Sequence, residues 1–295
     1  MKAGIINFYK PTGMTSQTAV NIVKRLTGAK KAGHCGTLDP LACGVLPIML
    51  DNAVKASEYL TDHDKTYIAG IKLGITTDSG DITGNVISEY DGSLPSFEEF
   101  SKIAKSFEGE LMQVPPMYSA LKRDGKKLVD LARQGITVER EARKITVYSL
   151  TPFQKENEFF MTVSCSRGTY IRTLCEDIGA ALGCGATMSF LERAVVGSFC
   201  KEDSFTEEDI KDGRYVLTPV ESIFPFPELT LPEFYDRLFS NGQAIQIKKL
   251  GLKAEAGTNF KVFGPNGFYA IGEIAEKDGE KTLKSKKIFF VTQIL

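Results

Sequence analysis

The sequence has no uncharged run of about 18 residues, the length a membrane-spanning helix needs, so no transmembrane helix is expected. None of its six cysteines (Cys35, Cys43, Cys165, Cys175, Cys184 and Cys200) forms a C-x-x-C pair. That absence removes the zinc knuckle and the thioredoxin-type motif. His34 and Cys35 are adjacent, but two neighbouring donors do not make a metal site, and no metal is expected. Scattered thiols in a long chain fit a reducing cytoplasm. No secretory leader is expected: Gly4 to Tyr9 is apolar but too short for an h-region, and Lys10-Pro11 interrupts it. Excess charge of either sign is absent. A formal net charge of -1 neither demands nor excludes a polyanionic partner, because affinity for phosphate follows local clusters of basic residues. There is no internal repeat and no low-complexity tract.

What is present supports a large core. The chain has 295 residues, 42% hydrophobic and 25% charged, so two domains of unequal size are expected. Gly4 to Tyr9 reads as a buried strand ended by the turn Lys10-Pro11-Thr12-Gly13. A helix follows, with Thr15 or Ser16 as N-cap, Ala19, Val20, Val23 and Leu26 as its stripe, and Gly28 past its end. Tyr67 to Gly74, Ile145 to Phe153 and Glu158 to Cys165 read as strands; Phe97 to Phe107 and Tyr170 to Leu182 read as helices. The mixture lacks a regular βαβ alternation, which predicts an α+β fold on a largely antiparallel mixed sheet. The acidic stretch Glu202 to Asp209 and the prolines Pro219, Pro225, Pro227 and Pro232 predict a connector. Short strands at Ala244 to Ile247, Asn259 to Phe263, Phe268 to Ile274 and Ile288 to Val291 then predict a small C-terminal β-barrel, ending with Lys281, Lys284, Lys286 and Lys287. The boundary is expected at residues 225/226.

The segment from Gly33 to Pro47 holds Gly33, Gly36, Pro40, Gly44 and Pro47, and so many breakers predict a structured loop. Pro40 biases Asp39 toward an extended conformation, and Leu38 and Leu41 offer apolar walls. A carboxylate beside such walls is partly desolvated and can serve as nucleophile or base. By residue type alone Asp39 could equally cap or bend a turn, since Asp-Pro is a common turn dipeptide.

The string G-H-x-G-x-L-D-P-x-A-x-G-x-L-P over Gly33 to Pro47 resembles the signature loop of the TruB family, bacterial tRNA pseudouridine synthases that act on uridine 55 of the T arm. Further segments agree in order. Asn7 to Ser16 resembles the family's K-P-x-G-x-[ST]-S motif. Lys65-Thr66-Tyr67, with Leu73-Gly74 and Thr77 to Asp81, resembles K-x-Y…L-G…T-D-[ST]-x-D. Ser166 to Arg172 resembles [SG]-x-G-T-Y-I-R, with Leu191 to Gly197 close behind, and Pro115 to Lys122 is also family-like. One departure is Glu192, where an arginine is usual before Arg193; it puts a local phosphate contact in doubt.

The resemblance implies that Asp39 is the essential carboxylate, with its point of attack left open among C1′, the ring and a sugar proton. It implies that Arg172 pairs with Asp39, that Tyr67 stacks on the target uracil and could help move its C5 proton, that Tyr170 lines the pocket and that Leu191 closes it. His34 is implied to fill the space of the flipped base, and Lys10 to support the loop or a phosphate. The reaction neither adds nor removes atoms, so no redox cofactor is required, and the resemblance implies no metal. The implied partner is tRNA, through the T arm and, if the C-terminal lysines reach it, the acceptor stem; those lysines could instead keep the domain soluble. A PUA-like RNA-binding role is implied for that domain. No membrane and no obligate protein partner is implied, and a monomer is expected. Between Lys122 and Lys144 eight basic residues stand against four acids, an excess that could track an RNA backbone or form an ordinary charged surface. Two other readings compete. A non-catalytic RNA binder or tRNA-folding chaperone would not need Asp39, Tyr67 and Arg172 together. A nucleotide-binding oxidoreductase rests only on Gly179, Gly183 and Gly185, which follow a helix rather than open one.

Overall fold

The structure is a computed structural model that describes residues 3–61, 63–119, 121–123 and 125–290. In chain order the elements that position the site are β1 (Gly4–Lys10), α1 (Ser16–Thr27), β2 (Ala32–His34), β3 (Cys43–Leu50), β4 (Lys65–Leu73), α2 (Phe97–Lys105) and β5 (Gly109–Gln113). They continue with β6 (Arg143–Lys155), β7 (Glu158–Cys165), α3 (Ile171–Ala181), β8 (Ala186–Val196) and β9 (Phe199–Cys200). These strands make one nine-stranded sheet in the order β1-β3-β8-β4-β7-β6-β5, with β2 on β3 and β9 on β8. Every neighbouring pair is antiparallel except β3 and β8. The α+β expectation with a largely antiparallel mixed sheet is met.

The helices begin and end where local chemistry says they should. The Thr15 side chain accepts from the Thr18 backbone N–H at 3.0 Å, and Gly28 closes α1 in the left-handed conformation. Ser96 and Glu99 form a capping box on α2. Tyr170 is the N-cap of α3, and its extended backbone leaves the side chain outside the helix.

Two sequence expectations change. The breaker-rich segment is a loop only between Cys35 and Ala42; Cys43 to Pro47 belong to β3, which is buried along its whole length. Gly44 and Pro47 are tolerated there for local reasons. The Gly44 backbone (φ +105) lies against the Arg193 backbone, where no side chain fits, and Pro47 still offers its carbonyl to Cys35 N–H at 3.4 Å. The expected connector is also more than a tether. Ile210 enters the main core, Val220, Ile223 and Phe224 enter a second one, and hydrogen bonds tie Ile5 to Thr218 and Tyr9 to Phe205. It covers the outer edge of β1, which would otherwise expose unpaired backbone.

The C-terminal sheet comprises β10 (Glu228–Thr230), β11 (Ile245–Gln246), β12 (Asn259–Gly264), β13 (Gly267–Lys277) and β14 (Glu280–Ile288), in the order β10-β12-β13-β14-β11. Helix α4 (Glu233–Ser240) packs Phe239 into its core. The lysines expected as a terminal cluster lie on β14. Lys281 pairs with Glu255, Lys286 with Glu273 at 2.9 Å, and Lys287 with Glu58 of the N-terminal part, so three of the four have carboxylate partners. The strand expected over Ile288 to Val291 starts where β14 ends, and Val291 lies outside the described residues. Phe268, Ile271 and Phe289 meet Ile5, Val45 and Met49 in a core shared by both sheets. Among the described residues no helix is long and apolar enough to cross a membrane.

Candidate active site

A cleft of about 610 Å³ opens where the loop before β3, the start of β4, the N-terminus of α3 and the middle of β8 converge. Asp39, Tyr67, Tyr170, Arg172 and Leu191 all line it. Residues far apart in sequence are thus brought to one place by four elements of the sheet layer.

Arg172 lies in the first turn of α3 and is buried. Its Nη2 is 3.0 Å from Asp39 Oδ2 and donates to the Tyr118 carbonyl at 2.7 Å, while Nη1 donates to the Ser79 carbonyl at 2.9 Å. Two backbone carbonyls hold the guanidinium, so its contact with the carboxylate is pre-set. The Asp39 side chain is 40% exposed against 8% for Arg172. The carboxylate is therefore anchored on its inner side and open toward the cleft. Leu38 N–H and carbonyl both bond Ser16 Oγ (2.8 and 2.9 Å), which ties the loop to the start of α1.

Tyr67 is buried, with burial pushing its hydroxyl up and the Arg193 guanidinium acting against that. Leu191 and Arg193 face the cleft from alternate positions of β8. Glu192 between them does not line it. It is buried, accepts the Tyr9 hydroxyl at 2.7 Å and pairs with Lys201 at 2.8 Å. The departure from the usual arginine is thus a structural ion pair away from the cleft.

Two residues named from sequence stand outside the cleft lining. Lys10 is fully buried, and its Nζ donates to the Met14 carbonyl at 2.7 Å and the Pro11 carbonyl at 3.0 Å. It supports the turn, and burial pushes its pKa down to about 8. His34 ends β2. Burial, then the Arg193 charge, lowers its pKa and keeps the imidazole neutral; its Nδ1 is buried without a hydrogen-bond partner. Lys65, Tyr118, Ser119 and Arg193 line the cleft without having been assigned roles, although all four lie in quoted family-like segments.

The basic segment is partly used inside the protein. Arg140 donates to the Pro115 carbonyl at 3.1 Å and Lys144 pairs with Glu110 at 2.7 Å. Arg123, Lys126, Arg133 and Arg143 are exposed. The side chains of Lys122 and Lys127 lie outside what the structure describes. Among the described residues no group of three or more His, Cys, Asp or Glu side chains is arranged to hold a metal ion.

The sheet and the cleft define a pseudouridylate synthase. Residues 24–171 match the model of the TruB family pseudouridylate synthase N-terminal domain, and residues 172–224 match that of the tRNA pseudouridylate synthase B C-terminal domain. The tRNA pseudouridine synthase B of Clostridium tetani is 41% identical over 285 residues, spanning 95% of this chain and 98% of the relative. That of Azoarcus sp. is 43% identical over 280 residues, 92% of this chain and 90% of the relative. Among solved structures, Cbf5 in a Cbf5-Nop10-Gar1 complex superposes with a TM-score of 0.71 at 26% identity, covering 97% of this chain and 85% of the other. The chain belongs to the TruB family, and it is an isomerase. Its C-terminal sheet fits a PUA-like domain.

Proposed function

We propose that this protein converts uridine 55 in the T arm of tRNA to pseudouridine, with Asp39 as the essential carboxylate. The observation that carries the reading is the Asp39–Arg172 pair at 3.0 Å in the wall of a nucleoside-sized cleft. The reaction breaks the N1–C1′ bond, turns the uracil and rejoins it through C5. A carboxylate oriented by a buried guanidinium suits the first step, in which the sugar carbon becomes electron-poor.

A stacked base cannot enter the cleft, so the target nucleotide is flipped out at a cost of a few kcal/mol. Tyr67 and Tyr170 supply ring faces for it and Leu191 an apolar lid. His34, neutral at physiological pH, fills the vacated stack as a wedge. Lys65 at the cleft and the exposed Arg123, Lys126, Arg133 and Arg143 meet phosphates. The reading includes two domains, 1–225 for catalysis and 226–295 as a PUA-like RNA contact reaching toward the acceptor stem. It also includes a cytoplasmic monomer without an obligate protein partner, the compartment being supported by six free thiols. The test is direct: purified protein incubated with unmodified tRNA produces pseudouridine at position 55. Binding without any pseudouridine would leave a non-catalytic RNA binder as the better reading.

A further inference from the structure

Arg193 is the largest fully buried side chain among the described residues, and none of the described carboxylates pairs with it. Removing a guanidinium from water costs several kcal/mol even after relaxation, so a buried cation without a counter-anion calls for an explanation. Its neighbours are specific. Nε donates to the Val45 carbonyl at 2.8 Å, Nη2 donates to the Gly36 carbonyl at 3.1 Å, and the guanidinium also reaches the Tyr67 hydroxyl. Val45 and Gly36 lie on either side of the loop that carries Asp39. Tyr67 faces Arg193 across the β4–β8 pairing, and both side chains line the cleft.

We propose that Arg193 is a positioning residue for the isomerisation: one guanidinium fastens both ends of the Asp39 loop and orients the oxygen of Tyr67, the group that the family resemblance implies takes the C5 proton. The inference rests on the reading of the reaction given above. Once C5 has bonded to C1′, the ring carries an N1=C6 double bond and a hydrogen on C5. The C5–H bond breaks, its electron pair forms C5=C6, and the N1=C6 pair moves onto N1. The Tyr67 hydroxyl gives its own proton through water to N1, and the phenolate oxygen so formed takes the proton from C5. The phenol is regenerated, and the net change is one proton moved from C5 to N1. Negative charge develops on the Tyr67 oxygen during this exchange. A buried guanidinium lacking a carboxylate is well placed to stabilise it, because its field is not already neutralised. An Arg N–H donated to the phenol oxygen also turns the hydroxyl hydrogen away from Arg193.

The experiment compares the full chain and its Arg193→Lys variant on T-arm RNA with hydrogen or deuterium at C5 of the target uridine. Lysine keeps the charge but cannot span two carbonyls and a hydroxyl. The expected result is a loss of about 10²-fold in single-turnover rate, the scale of a general acid–base contribution. The variant should also turn over the deuterated RNA more slowly than the protiated one. Wild-type rates from Arg193→Lys, or slow rates equal on both RNAs, would overturn the proposal. If thermal melting shows Arg193→Lys to be unfolded, Tyr67→Phe decides the matter, since it leaves the carbonyl bonds of Arg193 in place. It should show the same deuterium sensitivity, and equal rates on the two RNAs would overturn the proposal. Failure of wild-type protein to make pseudouridine would instead strike at the reaction itself.

Discussion

The Lys10 ammonium is held in a fully buried position by two carbonyls, and its pKa is pushed down to about 8 by that burial. The unfolded chain protonates the same lysine up to about 10.5. Between these values the unfolded state binds more protons than the native one, so stability rises with pH across that window; below about 8 the gain is absent. Replacing Lys10 by Met removes the dependence. Urea midpoints of wild type should therefore gain on those of Lys10→Met between pH 8 and 10, and parallel curves would show that Lys10 is not perturbed. At this scale much of the site was legible. Asp39, Tyr67, Tyr170, Arg172 and Leu191 were named from motifs and meet in one cleft. Arg193 was not given a role, because an arginine beside Glu192 on a strand reads as surface charge. Only the β8 pairing shows that the two side chains enter different environments.

The loop bearing Asp39 depends on how β3 meets β8. At Gly44 a Cβ would sit 2.3 Å from the Arg193 carbonyl oxygen, and the φ of +105 is one that other residues rarely adopt. Gly44→Ala should therefore lower the unfolding free energy by about 3 kcal/mol, combining backbone strain with overpacking. Denaturant titration checks this; a change below about 0.5 kcal/mol would mean that the β3–β8 junction yields easily. Elements governed by local chemistry could be read ahead of the structure. The caps of α1 and α2 are side-chain hydrogen bonds within three residues, so their boundaries are written in short strings. Strand β3 could not be read this way, because its glycine and proline signal a loop unless the partner strand is known. Strand β14 was hidden by its lysines, whose carboxylate partners come from Glu58, Glu255 and Glu273 elsewhere in the chain.

For the whole molecule, the shared core decides whether the two sheets behave as one body. Phe224, Phe268 and Phe289 pack with ring centroids 5.5 to 6.0 Å apart, and Ile5, Val45 and Met49 complete the cluster. Unfolding of the intact chain should be a single transition, and Phe289→Ala should cost about 3–5 kcal/mol. Separate melting of the C-terminal sheet in wild type would show that the contact is weak. Composition gave no sign of this coupling: an acidic, proline-rich segment reads as a tether, and only the fold shows its apolar residues entering both cores. The same integrated body presents Asp39 to a folded RNA. The most direct measurement maps pseudouridine in tRNA incubated with wild-type protein and with Asp39→Asn, at RNA concentrations that saturate both. Wild type should fill position 55, while Asp39→Asn should bind the tRNA equally but turn over at least about 10³-fold more slowly. Comparable pseudouridine from the two proteins would contradict the central role of Asp39.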